Sequence, residues 1–135
     1  MSLRPAAESM SMKKLKLLLW SPNGSGLDYG GPGMTAYRLF SANKTDMLSI
    51  SLAHGRAEQK QYELFKDSYY FGSVQSPVSH YLNPVYQKLF IEKSISWIKE
   101  NAKNFDVMYG LQGFHVTVLP AVTAQKNNLP SLLKL

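Results

Sequence analysis

"KLKLLLWSPNGSGLDYGGPGMTAYRLF", residues 14–40, decides the fold class. Lys14 to Trp20 is a short apolar run that stops at Ser-Pro-Asn-Gly, the pattern of a buried strand. The stretch from Ser21 to Phe40 then carries five glycines and two prolines. Glycine loses more conformational entropy on folding than any other residue, so such a cluster implies a geometric or ligand-related reason. Pro32 suits a first helical position, where its missing N–H costs nothing. Ala36, Leu39, Phe40 and Asn43 recur at helical spacing, which predicts a helix over 32–42. Strand, glycine-rich loop and helix together open an α/β unit.

The rest of the chain repeats that alternation. Residues 46–53, "DMLSISLA", set Met47, Ser49 and Ser51 against Leu48, Ile50 and Leu52, which predicts a second strand. Residues 56–67 are polar and read as a loop with a short helical turn; "YYFGSVQ", 69–75, is aromatic and β-branched and reads as the third strand. Ile91, Ile95, Ile98 and Ala102 share one face of a helix expected over 84–104. "DVMYGL", 106–111, reads as the fourth strand, and 115–127 as a helix that Pro120 kinks or starts late. "LPSLLKL", 129–135, reads as a fifth strand. Strands alternating with helices imply parallel pairing through right-handed crossovers. The expected architecture is therefore α/β: a Rossmann-like, three-layer parallel sheet with flanking helices. Residues 1–12 read as a disordered tail or cloning remnant. Residues 13–135 read as one domain, and its apolar last strand suggests a fragment of a longer protein.

Composition narrows the chemistry. The 135 residues suffice for one domain, and 44% hydrophobic content suffices for a core. The chain has no cysteine, which excludes disulfides, thiolate metal ligands and a cysteine nucleophile. Its formal net charge of +6 allows attraction to phosphates or anionic lipid. The basic residues form no long block and no nucleic-acid-binding motif is present, so no nucleic acid partner is expected. No window approaches the roughly 20 apolar residues of a membrane span. The apolar part of "KKLKLLLW" is too short for a signal peptide, and a cytoplasmic location is expected. His54, His80 and His115 lie far apart in sequence and no His-Glu-x-x-His occurs, so no metal site is expected.

The glycine loop fits no ATPase phosphate loop, because the chain contains no Gly-Lys pair. Gly31, Gly33 and Ala36 match Gly-x-Gly-x-x-Ala, but about ten residues separate them from the strand and the second strand ends in "SLAHG" rather than on an acidic residue. A looser reading uses Gly30 and Gly31 before a helix N-terminus, where free N–H groups and the helix dipole favour a phosphate or another anion. In a parallel sheet ligands bind at the carboxyl ends of the strands. The loop after the first strand and "QGFH", Gln112, Gly113, Phe114 and His115, after the fourth, fall on that one rim.

"KLLLW", a loop and "GGPGMTAYRLF", followed later by "FDVMYGLQGFHVTVLPAVTAQKNNLPSLLKL", resemble in order the N-terminal domain of GT-B glycosyltransferases of the retaining group-1 type. The resemblance covers residues 13–135. It implies an acceptor-side domain whose Gly-Gly loop approaches the diphosphate of a nucleotide-sugar donor, that donor being a substrate and not a resident cofactor. It further implies a sugar or lipid-linked acceptor, peripheral contact with a membrane as an option, and a missing C-terminal domain that holds the donor, without which this chain should not transfer sugar. The substrate-binding residues expected on this basis are Gly30, Gly31 and Gly33, with Asp28 and Tyr29 toward sugar hydroxyls, and Gln112, Gly113 and His115 on the second rim loop. The family's His-x-His falls on Tyr109-Gly110-Leu111, so neither histidine is present and no catalytic residue is assigned. Two other readings stay open: a stand-alone Rossmann-like binding or adaptor domain without catalysis, and a dinucleotide-binding domain.

Overall fold

A computed structural model of the chain describes residues 14–27, 29, 31–42, 46–74, 84–111 and 115–134. Its elements are β1 (Leu15–Trp20), α1 (Gly31–Ala42), β2 (Leu48–His54), β3 (Phe65–Tyr70), α2 (Pro84–Asn101) with a following 3-10 turn (Ala102–Asn104), β4 (Val107–Leu111), α3 (His115–Lys126) and β5 (Ser131–Lys134). All five strands pair in parallel, in the order β3-β2-β1-β4-β5. The fold is the expected Rossmann-like α/β architecture. The first strand is buried from Leu17 to Trp20 because the sheet is covered on both faces, as a central parallel strand requires.

Side-chain alternation along β1 divides the core in two. Leu18 and Trp20 point to the face carrying α2 and α3, where they meet Ala53, Phe90, Met108 and Val116. Leu17 and Leu19 point to the opposite face and meet Ala36 of α1 with Ile50, Leu52 and Phe65. Trp20 is the largest fully buried side chain. Its ring stacks on Phe71 at 5.5 Å between centroids and meets Phe90 edge-on at 6.1 Å.

The Trp20 indole N–H is satisfied in a way that depends on Pro120. Pro120 lies inside α3 and has no N–H, so the carbonyl four residues earlier, that of Val116, receives no helical hydrogen bond from it. Trp20 Nε1 donates to that carbonyl at 2.8 Å. Pro120 is itself buried, and α3 runs unbroken from His115 to Lys126.

Two sequence expectations are corrected. The third strand is Phe65–Tyr70, not 69–75. It is an edge strand on which only Phe65 is buried, so "FKDSYY" lacks the apolar signature of a strand, and the aromatic run that follows it turns into the core as Phe71. Gln75 lies outside the described residues. On α2 the buried positions are Phe90, Ser94 and Ile98, while Ile91 and Ile95 are only half-buried. The helix turns Phe90 toward Trp20 and Phe71, and Ser94 is tolerated in the core because its hydroxyl donates to the Ile91 carbonyl at 3.0 Å.

Candidate functional site

The strand order reverses direction between β1 and β4: the chain moves from β1 outward through β2 to β3, then returns to the other side of β1. The helices that follow β1 and β4 pack on opposite faces of the sheet, the arrangement that in open α/β sheets places a ligand site at the carboxyl edge. Thr117 ties the second of these segments down, its Oγ1 donating to the Leu111 carbonyl at 2.8 Å. His115 begins α3 and is exposed at this rim. Gln112, Gly113 and Phe114 lie outside the described residues, as do Asp28 and Gly30 on the first loop.

The described part of the glycine loop is a tightly packed structure. Ser21 Oγ donates to the Gly24 carbonyl at 2.6 Å, and Gly24 N–H donates back to the Ser21 carbonyl at 2.9 Å. Gly24 has φ +86°, and a Cβ there would sit 2.5 Å from the Tyr29 ring and 2.6 Å from Gln59 Oε1. Ser25 is fully buried, and its Oγ donates to the Gly33 carbonyl at 2.7 Å. Gly33, in the first turn of α1, abuts the loop so closely that a Cβ would overlap the Gly24 carbonyl oxygen. The expected site residue Gly33 is thus a close-approach position between helix and loop. Gly31 differs: it has φ +59°, and no atom of the described residues lies within 4 Å of where a Cβ would stand.

The second half of the clamp comes from the helix-free connection between β2 and β3. The Gln59 side-chain amide pairs with the Ser25 backbone like a neighbouring strand: Ser25 N–H donates to Oε1 at 2.9 Å, and Nε2 donates to the Ser25 carbonyl at 2.8 Å. Nε2 also donates to the Lys60 carbonyl at 2.9 Å. Tyr29 is buried, its hydroxyl accepting from Lys60 N–H at 2.8 Å and donating to the Glu58 carbonyl at 3.3 Å. The Arg56 guanidinium lies 4.4 Å over the Tyr29 ring, and its Nε donates to Glu58 Oε1 at 2.8 Å. That hydrogen bond holds the Glu58 carboxyl below its usual range. The Tyr29 hydroxyl, expected to face a sugar, is thus occupied in bracing the loop. Tyr62 Oη is buried against Gly26 and has no hydrogen-bond partner among the described residues.

Arg56 and Gln59 were not legible as site residues, because they sit in a polar segment whose partner, Ser25, is 34 residues away from Gln59. No pattern at fixed spacing encodes such a contact.

His54 closes β2 beside this connection. Arg56 N–H donates to its Nδ1 at 3.2 Å, which leaves the imidazole proton on Nε2, and its ring centroid lies 5.6 Å from that of Tyr70. Burial pushes its pKa down to about 4 from the ordinary 6.5. The fold holds the neutral ring, so the unfolded chain takes up this proton first. Stability is complete above about pH 6.5 and is lost as pH falls toward 4. Allowing for solvent screening, the loss expected from this group is about 1–2 kcal/mol. Urea unfolding at pH 7.5 and pH 5 should show it in the wild type, and His54→Gln should flatten that part of the pH profile.

Among the described residues no three His, Cys, Asp or Glu side chains gather as a metal site, and no helix is long and apolar enough to cross a membrane. No family model matches the chain, and no curated protein sequence matches it. Its fold is similar to that of two crystal structures described as the C-terminal domain of PF1911 hydrogenase from Pyrococcus furiosus. One superposes with a TM-score of 0.62 at 11% identity over 92% of this chain and 95% of the other. The second gives 0.58 at 14% identity over 91% and 94%. These likenesses concern the fold.

Proposed function

We propose that this chain is the N-terminal, acceptor-side domain of a GT-B glycosyltransferase that moves a sugar from a nucleotide-sugar donor. The observation that carries the reading is the rim of the sheet. The glycine loop after β1 and the loop after β4 follow the two strands at which strand order reverses, and α1 begins there at Gly31, where no described residue meets the position of a Cβ. The first turn of α1 has no acidic side chain to compete for its N–H groups. A diphosphate would accept hydrogen bonds from those groups and gain from the helix dipole. As the donor's sugar–phosphate bond breaks, the same donors would stabilise charge building on the leaving diphosphate. Gly30, Gly31, Asp28, Gln112, Gly113 and His115 keep their proposed substrate-facing roles, whereas Tyr29 and Gly33 serve through the loop they brace. The acceptor, a sugar or a lipid-linked sugar, would lie between this domain and a C-terminal one, at the cytoplasmic side of a membrane when the acceptor carries lipid.

A second reading has one observation in its favour. The PF1911 domain structures are nearly matched end to end by this chain, so a domain of this extent occurs elsewhere attached to a protein described as a hydrogenase. On that reading the chain is a binding or adaptor domain without catalysis.

Calorimetric titration of the full-length gene product with UDP-glucose and GDP-mannose separates the two. Saturable binding is expected, weakened at least tenfold by Gly31→Val. Valine at φ +59° is strained, and its side chain would fill the space above the helix start. Binding that ignores the valine would make Gly31 a turn residue; no binding of either sugar nucleotide would favour the adaptor reading.

A further inference from the structure

We infer that Gln59 is the positioning residue of the glycine loop, shaping it for its ligand from the β2–β3 connection; this rests on the function proposed above. The geometry sets Gln59 apart from its neighbours. Its amide engages both the N–H and the carbonyl of one residue, Ser25, at 2.9 and 2.8 Å. That two-point pairing fixes the orientation of the peptide units on either side of Ser25, as one rung of a strand ladder would. Ser25 in turn hands the constraint to α1 by donating from Oγ to the Gly33 carbonyl at 2.7 Å. A chain of three contacts therefore runs from the β2–β3 connection, through the loop, to the first turn of the helix where the anion is placed.

The loop needs such an external hold. Gly24 and Gly26 are free to adopt many backbone angles, so without it the loop would sample several shapes and ordering them would weaken ligand binding. Gln59 is held in turn, since Nε2 also donates to the Lys60 carbonyl, and Lys60 N–H donates to the Tyr29 hydroxyl. The amide thus belongs to a rigid brace and does not follow the loop. A carboxylate of the same size would keep the acceptor for Ser25 N–H but would turn a second acceptor toward the Ser25 and Lys60 carbonyls. Glutamine is the residue whose acceptor and donor match the N–H and the carbonyl of one residue.

The test uses two variants and two readouts. Gln59→Met keeps the length and loses both hydrogen bonds to Ser25 together with the one to the Lys60 carbonyl. Gln59→Glu keeps the acceptor and regains a donor only when protonated. Amide hydrogen exchange at Ser25 reads the loop, with the β1 amides as the internal measure of the whole fold. Titration of the full-length gene product, wild type and variants, with UDP-glucose and GDP-mannose reads the ligand. In Gln59→Met, protection of the Ser25 amide should fall at least tenfold while β1 protection holds, and affinity for whichever probe the wild type binds should fall about tenfold. In Gln59→Glu, the Ser25 protection factor should recover as pH is lowered through the carboxyl titration, a response no packing role would give. Unchanged Ser25 protection in the methionine variant overturns the inference, as does lost protection with unchanged affinity. If the wild type binds neither probe, the glycosyltransferase reading falls, and the protection factors alone decide whether Gln59 holds the loop.

Discussion

Gly33→Ala is expected to undock the glycine loop from α1 and to destabilise the chain by about 2–4 kcal/mol, combining steric overlap with lost loop hydrogen bonds. The sign of the effect is the test. Gly33 lies within a helix, where alanine is intrinsically better by about 1 kcal/mol. Were the position an ordinary helical one, the substitution would stabilise. The overlap of the new Cβ is with the Gly24 carbonyl oxygen, a backbone atom that cannot swing aside as a side chain could. That oxygen also accepts from Ser21 Oγ, and Ser25 Oγ reaches the Gly33 carbonyl, so moving the loop breaks several contacts together. Denaturant unfolding of the variant gives the sign, and loss of sugar-nucleotide binding in the same preparation would connect the packing to the proposed site. A more stable variant would contradict the close approach.

Trp20→Ala is expected to cost about 3–5 kcal/mol, the range for deleting a large buried aromatic side chain. In a chain of this size each kcal/mol lowers the melting temperature by roughly 3–5 °C, so thermal unfolding should shift by about 10–20 °C. Trp20 joins three parts of the molecule: its own central strand, the aromatic pair Phe71 and Phe90, and the Val116 carbonyl of α3. Trp20→Phe separates these terms. It retains most of the stacking and leaves the Val116 carbonyl without its donor, so a loss of about 1–3 kcal/mol is expected. Equal losses for alanine and phenylalanine would mean that the ring contacts contribute little.

How far the sequence could be read depended on burial. β1, β2, β4 and α1 were legible because central strands and a helix start carry strong local signals: the apolar run Leu17–Trp20, the alternation around Ile50, and Pro32 beside Gly31. β3 was misplaced because an exposed edge strand need not be apolar, and Lys66, Asp67 and Ser68 are all exposed. The buried face of α2 was rotated because Ser94, polar by type, satisfies its hydroxyl within its own helix. At the candidate site the glycine cluster was visible and the reason for most of it was not. Gly24 and Gly33 are needed where loop and helix touch, and Tyr29 braces the loop through contacts about 30 residues away. Such contacts leave no trace in local spacing. Asp28, Gly30, Gln112 and Gly113 lie outside the described residues, so the rim is known from its anchors at Ser25, Gly31, Leu111 and Thr117.

Those anchors give Pro120 a further consequence. The face of α3 against the sheet is lined by small or smooth residues, Val116, Thr117, Pro120, Ala121 and Ala124, a surface on which a helix could settle one step along its axis at little cost in apolar contact. A shift of one residue would displace the Val116 carbonyl, which Pro120 leaves to Trp20, by about 1.5 Å relative to the indole. Pro120 therefore indexes α3 against β1, and through Thr117 and Leu111 it sets the distance that the three residues between β4 and α3 must span. The placement of α3 at the carboxyl edge of the sheet is thus set in part by a proline on the helix's inner face.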